Sequence, residues 1–86
     1  MQDINNLPDN YIEQLHVKIG KNVKSARESK GLTQLQLSQL IGHNSVTVIS
    51  RAEIYYKKQH FNIEHLAKIA YVLEIDICTF FQGSIC

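Results

Sequence analysis

Histidine and cysteine are the residue types in this 86-residue chain best suited to metal or nucleophilic chemistry. They are His16, His43, His60 and His65, together with Cys78 and Cys86. A zinc site needs ligands at short and regular spacings, and a disulfide framework needs a recurring set of cysteines. Neither pattern is present. The sequence therefore predicts reduced thiols in a cytoplasmic protein, histidines with surface or capping roles, and no metal or cofactor.

Enzymatic and membrane functions find no support in the sequence. It has no Ser-His-Asp order, no glycine-rich phosphate loop and no pair of carboxylates that would form a cleft. Its purely apolar runs are short, which predicts no membrane span, and residues 1–8 lack the features of a secretion signal. The sequence thus predicts a cytoplasmic protein that is not an enzyme.

Lysine and arginine are the remaining residue types that suggest a function, because their positive charges can bind phosphate groups. The formal net charge is only +1. However, residues 18–30 and 51–60 are basic, whereas residues 1–17 and 61–86 are acidic. A basic middle region suits contact with nucleic-acid phosphates. A solvated charge cluster is the alternative interpretation, and charge alone does not decide between the two.

The spacing of apolar residues predicts five helices and no strand. The expected helices cover residues 9–30, Thr33 to Ile41 with Gly42 at its end, Ser45 to Ala52, Asn62 to Leu73, and residues 76–82. Thr33 and Gln36 have the spacing of a capping box, and Ser45 and Asn62 are typical N-cap residues. Gly31 suits the end of the first helix. The second and third helices are short and are joined by a glycine-containing turn, which is the sequence form of a helix-turn-helix.

Apolar residues three and four positions apart mark the face of each helix that is expected in the core. They are Ile12, Leu15, Ile19, Val23 and Ala26 in the first helix, Leu37, Leu40 and Ile41 in the second, Val48 or Ile49 with Ala52 in the third, and Ile63, Leu66, Ile69, Ala70 and Leu73 in the fourth. The apolar residues of the last segment, residues 76–82, are Ile77, Phe80 and Phe81. Gly20 interrupts the first stripe, so we expect a bend there.

One set of residues has the types and spacing of a known family. The set is Ile19, Arg27, Gly31, Leu32, Thr33, Gln34, Leu37, Gly42, Ser45, Ile49, Ser50 and Glu53, followed by Leu66, Ile69, Ala70, Leu73 and Phe81. With these residues the chain resembles the Cro/repressor-type helix-turn-helix regulators, a lambdoid repressor-like family of the xenobiotic-response-element type. The resemblance implies an all-α, five-helix lambda-repressor-like DNA-binding domain in which helices 2 and 3 form the helix-turn-helix.

The sequence also departs from the family pattern. The turn between helices 2 and 3 is one residue longer than usual, because seven positions separate Gly42 from Ile49. Ile54, Tyr55 and Tyr56 stand where a glycine is common, and the following loop is longer and lacks its usual proline. We expect one of the two tyrosines to cover the edge of the core. The longer turn bears on how helix 3 docks, not on the fold.

The resemblance implies roles for individual residues. Base contacts are expected from Val46, Thr47, Ser50 and Arg51, phosphate contacts from Gln34, Ser45, Lys57 and Lys58, and a structural ion pair from Arg27 and Glu53. Arg51 alone among the base-contact residues has the fork of donors that binds guanine in a bidentate manner. The alternatives are that Arg51 is a solvated helix residue and that Ser45 only caps its helix. Glu74 stands where relatives often have a left-handed glycine.

The resemblance further implies an assembly and a partner. Relatives pair through their last helices, and Val72, Ile77 and Phe80 are the apolar residues that one monomer's core needs least, so they are the predicted dimer interface. Phe81 is expected inside. The predicted organisation is a flexible segment at residues 1–8, a helix-turn-helix domain at 9–82 and a tail at 83–86.

These observations together predict a sequence-specific transcription regulator that binds double-stranded DNA as a homodimer on a pseudo-palindromic operator. No small-molecule effector and no membrane contact are expected. The alternative is a protein-interaction module, or an antitoxin-like partner protein, that retains the fold with weak or no DNA binding. The low net charge of +1 favours that alternative more than is usual for the family.

Overall fold

A computed structural model describes residues 1–42 and 45–83 of the chain. Its α-helices are α1 (Tyr11–Ser29), α2 (Gln34–Leu40), α3 (Thr47–Glu53) and α4 (Ile63–Leu73). Short 3-10 helices cover Ile4–Asn6, Tyr56–Lys58 and Ile77–Phe81. The all-α class is confirmed, and the described residues contain no strand. The predicted fifth helix is instead the 3-10 helix at Ile77–Phe81, which Asp76 caps by accepting a hydrogen bond from the Cys78 amide.

Two of the three predicted N-caps are present. Thr33 and Gln36 form a reciprocal capping box at the start of α2, and Asn62 forms one with His65 at the start of α4. The N-cap of α3 is Val46 and not Ser45, which lies one position earlier and accepts a hydrogen bond from the Thr47 amide at 3.2 Å. These caps satisfy amide groups that would otherwise have no partner at a helix start.

Left-handed residues end two of the helices. Gly31 has φ +71° after α1, and the amide of Leu32 donates back to the carbonyl of Arg27. Glu74 has φ +58° after α4, and the amide of Ile75 donates back to the carbonyl of Ala70. Both ends therefore show the Schellman pattern, as predicted. At the second end a glutamate occupies a position that favours glycine.

The core lies between α1, α3, α4 and the 3-10 helix at Ile77–Phe81. Its buried apolar side chains are Ile19, Val23, Leu37, Ile41, Ile49, Ala52, Phe61, Leu66, Ile69, Ala70, Leu73 and Phe80. Phe61 was not in the predicted core, although it directly precedes the Asn62 cap and packs under α4.

Three residues predicted to face the core are exposed: Ile12, Leu40 and Ile63. Ile12 lies in the first turn of α1, all of which is exposed, and Ile63 is the first residue of α4. Leu40 lies at the edge of α2, where Leu37, Ser38 and Ile41 form the inner face. Helical periodicity identifies the apolar side of a helix, but it does not tell how far the neighbouring elements extend along that side.

The two C-terminal phenylalanines differ in burial from the prediction: Phe80 lies in the core, and Phe81 packs against it. The Phe80 side chain is fully buried, with 0% exposure, whereas Phe81 is only half-buried. Phe80 therefore fills the core of one monomer, and its prediction as a dimer-interface residue is wrong. Asn22 on α1 fixes this segment by donating hydrogen bonds to the carbonyl oxygens of Phe80 and Gln82.

Gly20 serves close packing between helices. Helix α1 runs without interruption through Gly20, from Tyr11 to Ser29. The bend expected at Gly20 stays a prediction. A Cβ atom at this position would lie 2.6 Å from the carbonyl oxygen of Glu53 and 2.7 Å from that of Ala52. Only a residue without a side chain lets α1 approach the end of α3 this closely.

Candidate DNA interface

A buried ion pair fixes α3 to α1. The Arg27 Nε atom lies 2.8 Å from Glu53 Oε2, and Arg27 Nη2 donates to Glu53 Oε1 at 3.2 Å. The side chains of Arg27 and Glu53 are 8% and 0% exposed. Arg27 also donates to the carbonyl of Leu32 at 2.7 Å, in the connection that leads to α2. The predicted pair is thus confirmed, and its guanidinium joins α1, α3 and the start of the helix-turn-helix.

Gln34, a predicted phosphate contact, takes part in the same cluster. Its Nε2 atom donates to Glu53 Oε1 at 2.9 Å, so Glu53 accepts hydrogen bonds from both Arg27 and Gln34. The side-chain amide of Gln34 therefore helps to hold α2 against α3. Ser38 makes a second link between these helices, because its hydroxyl donates to the carbonyl of Ser45 at 3.1 Å. The family resemblance did not reveal either contact.

Helix α3 presents one long cationic side chain to solvent. Ile49, Ala52 and Glu53 point inward, and Arg51 is exposed. The other predicted base-contact residues, Val46, Thr47 and Ser50, are half-buried. The Ser50 hydroxyl donates to the carbonyl of Thr47 at 3.2 Å. Among the four predicted base-contact residues, Arg51 thus has both the reach and the free donors that base recognition requires. The longer turn before α3 includes residues 43 and 44, which lie outside the described residues.

The segment after α3 carries the two predicted phosphate-binding lysines, Lys57 and Lys58, and both are exposed. Tyr55, Lys57 and Lys58 have φ values of +56°, +49° and +65°. Left-handed backbone is uncommon for residues other than glycine. Three such residues lie within four positions, at the place where the family resemblance led us to expect a glycine.

Tyr55 and two histidines form a ring cluster between this segment and α1. The ring centroids of His16 and His60 are 3.8 Å apart, and those of His16 and Tyr55 are 5.7 Å apart. Tyr55 is half-buried and is the tyrosine that covers the core edge. Burial, and to a smaller extent the proximity of His60, lowers the pKa of His16 from its ordinary value of 6.5. Within the described part of the chain, His16 Nδ1 is buried without a hydrogen-bond partner.

Tyr56 stands between two cations. The guanidinium carbon of Arg51 lies 5.5 Å from the centre of the Tyr56 ring, and Lys57 Nζ lies 5.4 Å from it. Both distances are within the range of a cation–π contact. The sequence placed Tyr56 in a loop without a specific role. The position of Tyr56, five residues after Arg51, was the one sequence feature that pointed to this contact. Predicting the contact from it would have required the path of the backbone after α3.

Comparison with protein families agrees with this arrangement. The family model described as helix-turn-helix matches residues 23–80, which include the Arg27–Glu53 pair, α2, α3 and α4. The chain belongs to the Cro/C1-type helix-turn-helix family. This is a family of DNA-binding transcription regulators, and DNA is the partner that membership implies. A comparison with curated proteins found no match.

Metal clusters and membrane-spanning helices are absent from the described residues of this helix-turn-helix protein. In residues 1–42 and 45–83, histidine, cysteine, aspartate and glutamate side chains nowhere cluster in threes that could hold a metal ion. The same ranges contain no helix with the length and apolar character needed to cross a membrane. Cys78 is exposed, and Cys86 lies outside the described residues.

Proposed function

We propose that this protein is a sequence-specific transcription regulator that binds double-stranded DNA as a homodimer on a pseudo-palindromic operator. The observation that carries the proposal is the anchoring of α3. The buried Arg27–Glu53 pair and the close contact at Gly20 hold its inner side, and Arg51 remains exposed on the other. A rigid helix with one free guanidinium is suited to enter the major groove and read base edges.

Arg51 is the residue proposed to specify sequence. Its guanidinium can bind O6 and N7 of a guanine at once, which is worth about 1–3 kcal/mol in discrimination against another base. Val46 and Thr47 can offer methyl groups to thymine, and Ser50 a hydroxyl, as secondary contacts. Their partial burial limits their reach compared with Arg51.

Lys57 and Lys58 are the residues proposed to bind phosphate. Both are exposed in the segment that directly follows α3, where the sugar-phosphate backbone would run beside the groove. Their contacts add affinity that depends on salt and carries no sequence information. Ser45 and Gln34 are proposed as further phosphate contacts. Ser45 also accepts a hydrogen bond from the Thr47 amide, and Gln34 also donates a hydrogen bond to Glu53.

The homodimer is proposed to form through α4 and the segment after it. Val72 and Ile77 remain half-buried in the monomer, and Tyr71 beside Val72 is 84% exposed. Tyr71 and Val72 share an apolar groove with Leu40 on α2. A two-fold pair would present two recognition helices one DNA turn apart, roughly 34 Å.

The experiment is a salt titration on two duplexes, one selected by the wild-type protein from a random pool and one of scrambled sequence. Arg51→Ala should weaken binding to the selected duplex by about 1–3 kcal/mol and barely change binding to the scrambled one. Replacing Lys57 and Lys58 by alanine should weaken both similarly. It should also flatten the slope of log affinity against log salt by about one unit per lost phosphate contact.

Glu13→Gln, a charge change on the exposed first turn of α1, serves as the control and should alter neither quantity. Equal losses from Arg51→Ala on both duplexes would mean that Arg51 contacts only phosphate. No loss on either duplex would remove Arg51 from the interface.

A second candidate function is a protein-interaction module with weak or no DNA binding. The observation that favours it is the set of exposed apolar side chains on α2 and α4, among them Leu35, Leu40 and Tyr71. The same titration separates the two candidates. A wild-type protein that selects no duplex and shifts none from its own upstream region would support the interaction module.

A further inference from the structure

We propose that Tyr56 is a positioning residue for recognition: its ring holds the Arg51 guanidinium and the Lys57 ammonium, and thereby sets the direction of the side chain that reads the base. This inference rests on the proposed function, because it assigns Tyr56 a role in the specificity of the same interface.

The geometry is a shared contact of two cations with one ring. Arg51 approaches the ring centre to 5.5 Å from α3, and Lys57 approaches it to 5.4 Å from the next residue along the chain. The Tyr56 residue remains 43% exposed. Its contact with Arg51 and Lys57 is therefore made at the surface, where those cations are available to DNA.

The backbone conformation after α3 brings the Tyr56 ring to Arg51. The amide of Ile54 donates to the carbonyl of Arg51 at 3.3 Å, and the amide of Lys58 donates to that of Tyr55 at 3.2 Å. Left-handed torsions at Tyr55 and Lys57, on either side of Tyr56, turn the chain back toward the end of α3. Residues other than glycine are disfavoured in this conformation. The fold thus accepts two unfavourable torsions around the residue that contacts Arg51.

Positioning matters more for a base contact than for a phosphate contact. A bidentate contact requires the guanidinium to lie in the plane of one base, and a free arginine samples many rotamers. A lysine that binds phosphate acts as a point charge and needs only to be near. Loss of the Tyr56 ring should therefore reduce the preference for the selected duplex and leave affinity for scrambled DNA nearly unchanged. An exposed cation–π contact corresponds to about a two- to fivefold change in an equilibrium constant.

Two substitutions test the ring itself. Tyr56→Leu removes the π-system and keeps an apolar side chain, whereas Tyr56→Phe removes only the hydroxyl. Tyr11→Leu is the matched control, because Tyr11 is 43% exposed like Tyr56 and begins α1, outside the proposed DNA and dimer interfaces. Two quantities are measured for each protein. The first is the ring-current shift of the Arg51 Hδ and Lys57 Hε protons by NMR without DNA. The second is the ratio of affinities for the selected and scrambled duplexes.

We expect upfield-shifted Arg51 and Lys57 protons in the wild type, Tyr56→Phe and Tyr11→Leu, and a loss of both shifts in Tyr56→Leu. The affinity ratio should fall about two- to fivefold in Tyr56→Leu alone. An unchanged ratio in Tyr56→Leu, while Arg51→Ala lowers it, would overturn the positioning role and leave the proposed function intact. A wild type that prefers no duplex would overturn both.

Discussion

At the scale of single residues, the Arg27–Glu53 pair is the contact on which the recognition helix most depends. Arg27→Ala would leave the Glu53 carboxylate buried without its cation, and the Leu32 carbonyl without its donor. Removing one member of a buried pair costs about 3–5 kcal/mol. We expect a loss of this size in the free energy of unfolding, measured by urea denaturation.

The exposed pair of Lys68 with Glu64 on α4, at 3.4 Å, is the internal control for this prediction. Lys68→Ala should cost less than about 1 kcal/mol, because solvent screens such pairs. Arg27→Ala melting within a degree or two of the wild type would show that the buried pair does not hold the fold.

Glu74 has a left-handed backbone conformation that is unfavourable for a residue with a side chain. Its φ of +58° is disfavoured by about 1 kcal/mol for residues other than glycine. Glu74→Gly relieves this strain, but it also gives the unfolded chain more freedom, which offsets part of the gain. We expect the unfolding free energy to rise by less than about 1 kcal/mol.

Gly31→Ala is the reciprocal change, because Gly31 has φ +71° with open space around it. It should lower the unfolding free energy for the same reason. If Glu74→Gly clearly destabilised the protein, the left-handed end of α4 would not be a source of strain.

At the scale of elements, the distance between α1 and α3 depends on Gly20. Alanine is the better helix former by about 1 kcal/mol, so propensity alone predicts that Gly20→Ala stabilises the protein. The added Cβ would instead lie 2.6 Å and 2.7 Å from two backbone carbonyl oxygens at the end of α3. We expect Gly20→Ala to be clearly destabilising in urea denaturation and to weaken binding to the selected duplex.

Ser25→Ala, on an exposed position of the same helix, should be neutral or slightly stabilising. A Gly20→Ala protein as stable as Ser25→Ala would mean that α1 can move away from α3 at little cost.

The stack of His16 on His60 links α1 to the segment that carries the lysines, and it predicts a pH dependence. Because the pKa of His16 is lowered in the folded protein, the unfolded chain binds the proton more readily. This contribution to stability is present above about pH 6.5 and is lost as the pH falls below that value towards the lowered pKa. We expect the wild type to unfold at a lower urea concentration at about pH 5.5 than at about pH 7.5.

His16→Phe keeps a ring for the stack but cannot take up a proton. The difference between the two pH values should therefore be smaller in His16→Phe than in the wild type, with the other histidines present in both proteins. An identical difference would show that His16 does not contribute to the pH dependence.

At the scale of the whole molecule, the proposed dimer predicts a concentration-dependent mass. Tyr71 is 84% exposed, so Tyr71→Lys should leave the monomer's fold intact while placing a charge in the apolar groove. We expect the wild type to sediment as a dimer and Tyr71→Lys to shift towards monomer, with weaker binding to the selected duplex. Tyr11→Lys, on the first turn of α1, is the control and should remain dimeric. A wild type that is monomeric both with and without DNA would refute the dimer.

The sequence by itself determined the local features of this protein. The capping box at Thr33, the N-cap at Asn62 and the left-handed end of α1 at Gly31 were predicted, and all three are present in the structure. Each depends on side-chain types and torsions within a few positions of the chain, so the residues in order contain the necessary information. The Arg27–Glu53 pair was predicted from the family resemblance, because the two residues are distant in the chain.

Tertiary structure decided what depends on elements distant in the sequence. Periodicity could not tell that Leu40 and Ile63 lie beyond the reach of their neighbours, or that Phe80 rather than Phe81 enters the core. Gly20 acquires its role only when α3 packs against α1, and Tyr56 only when left-handed residues turn it towards Arg51. Burial and the close packing at Gly20 join residues that are distant in the sequence. The Arg51–Tyr56 contact is local, but it depends on left-handed torsions at Tyr55 and Lys57 that the residue types did not indicate.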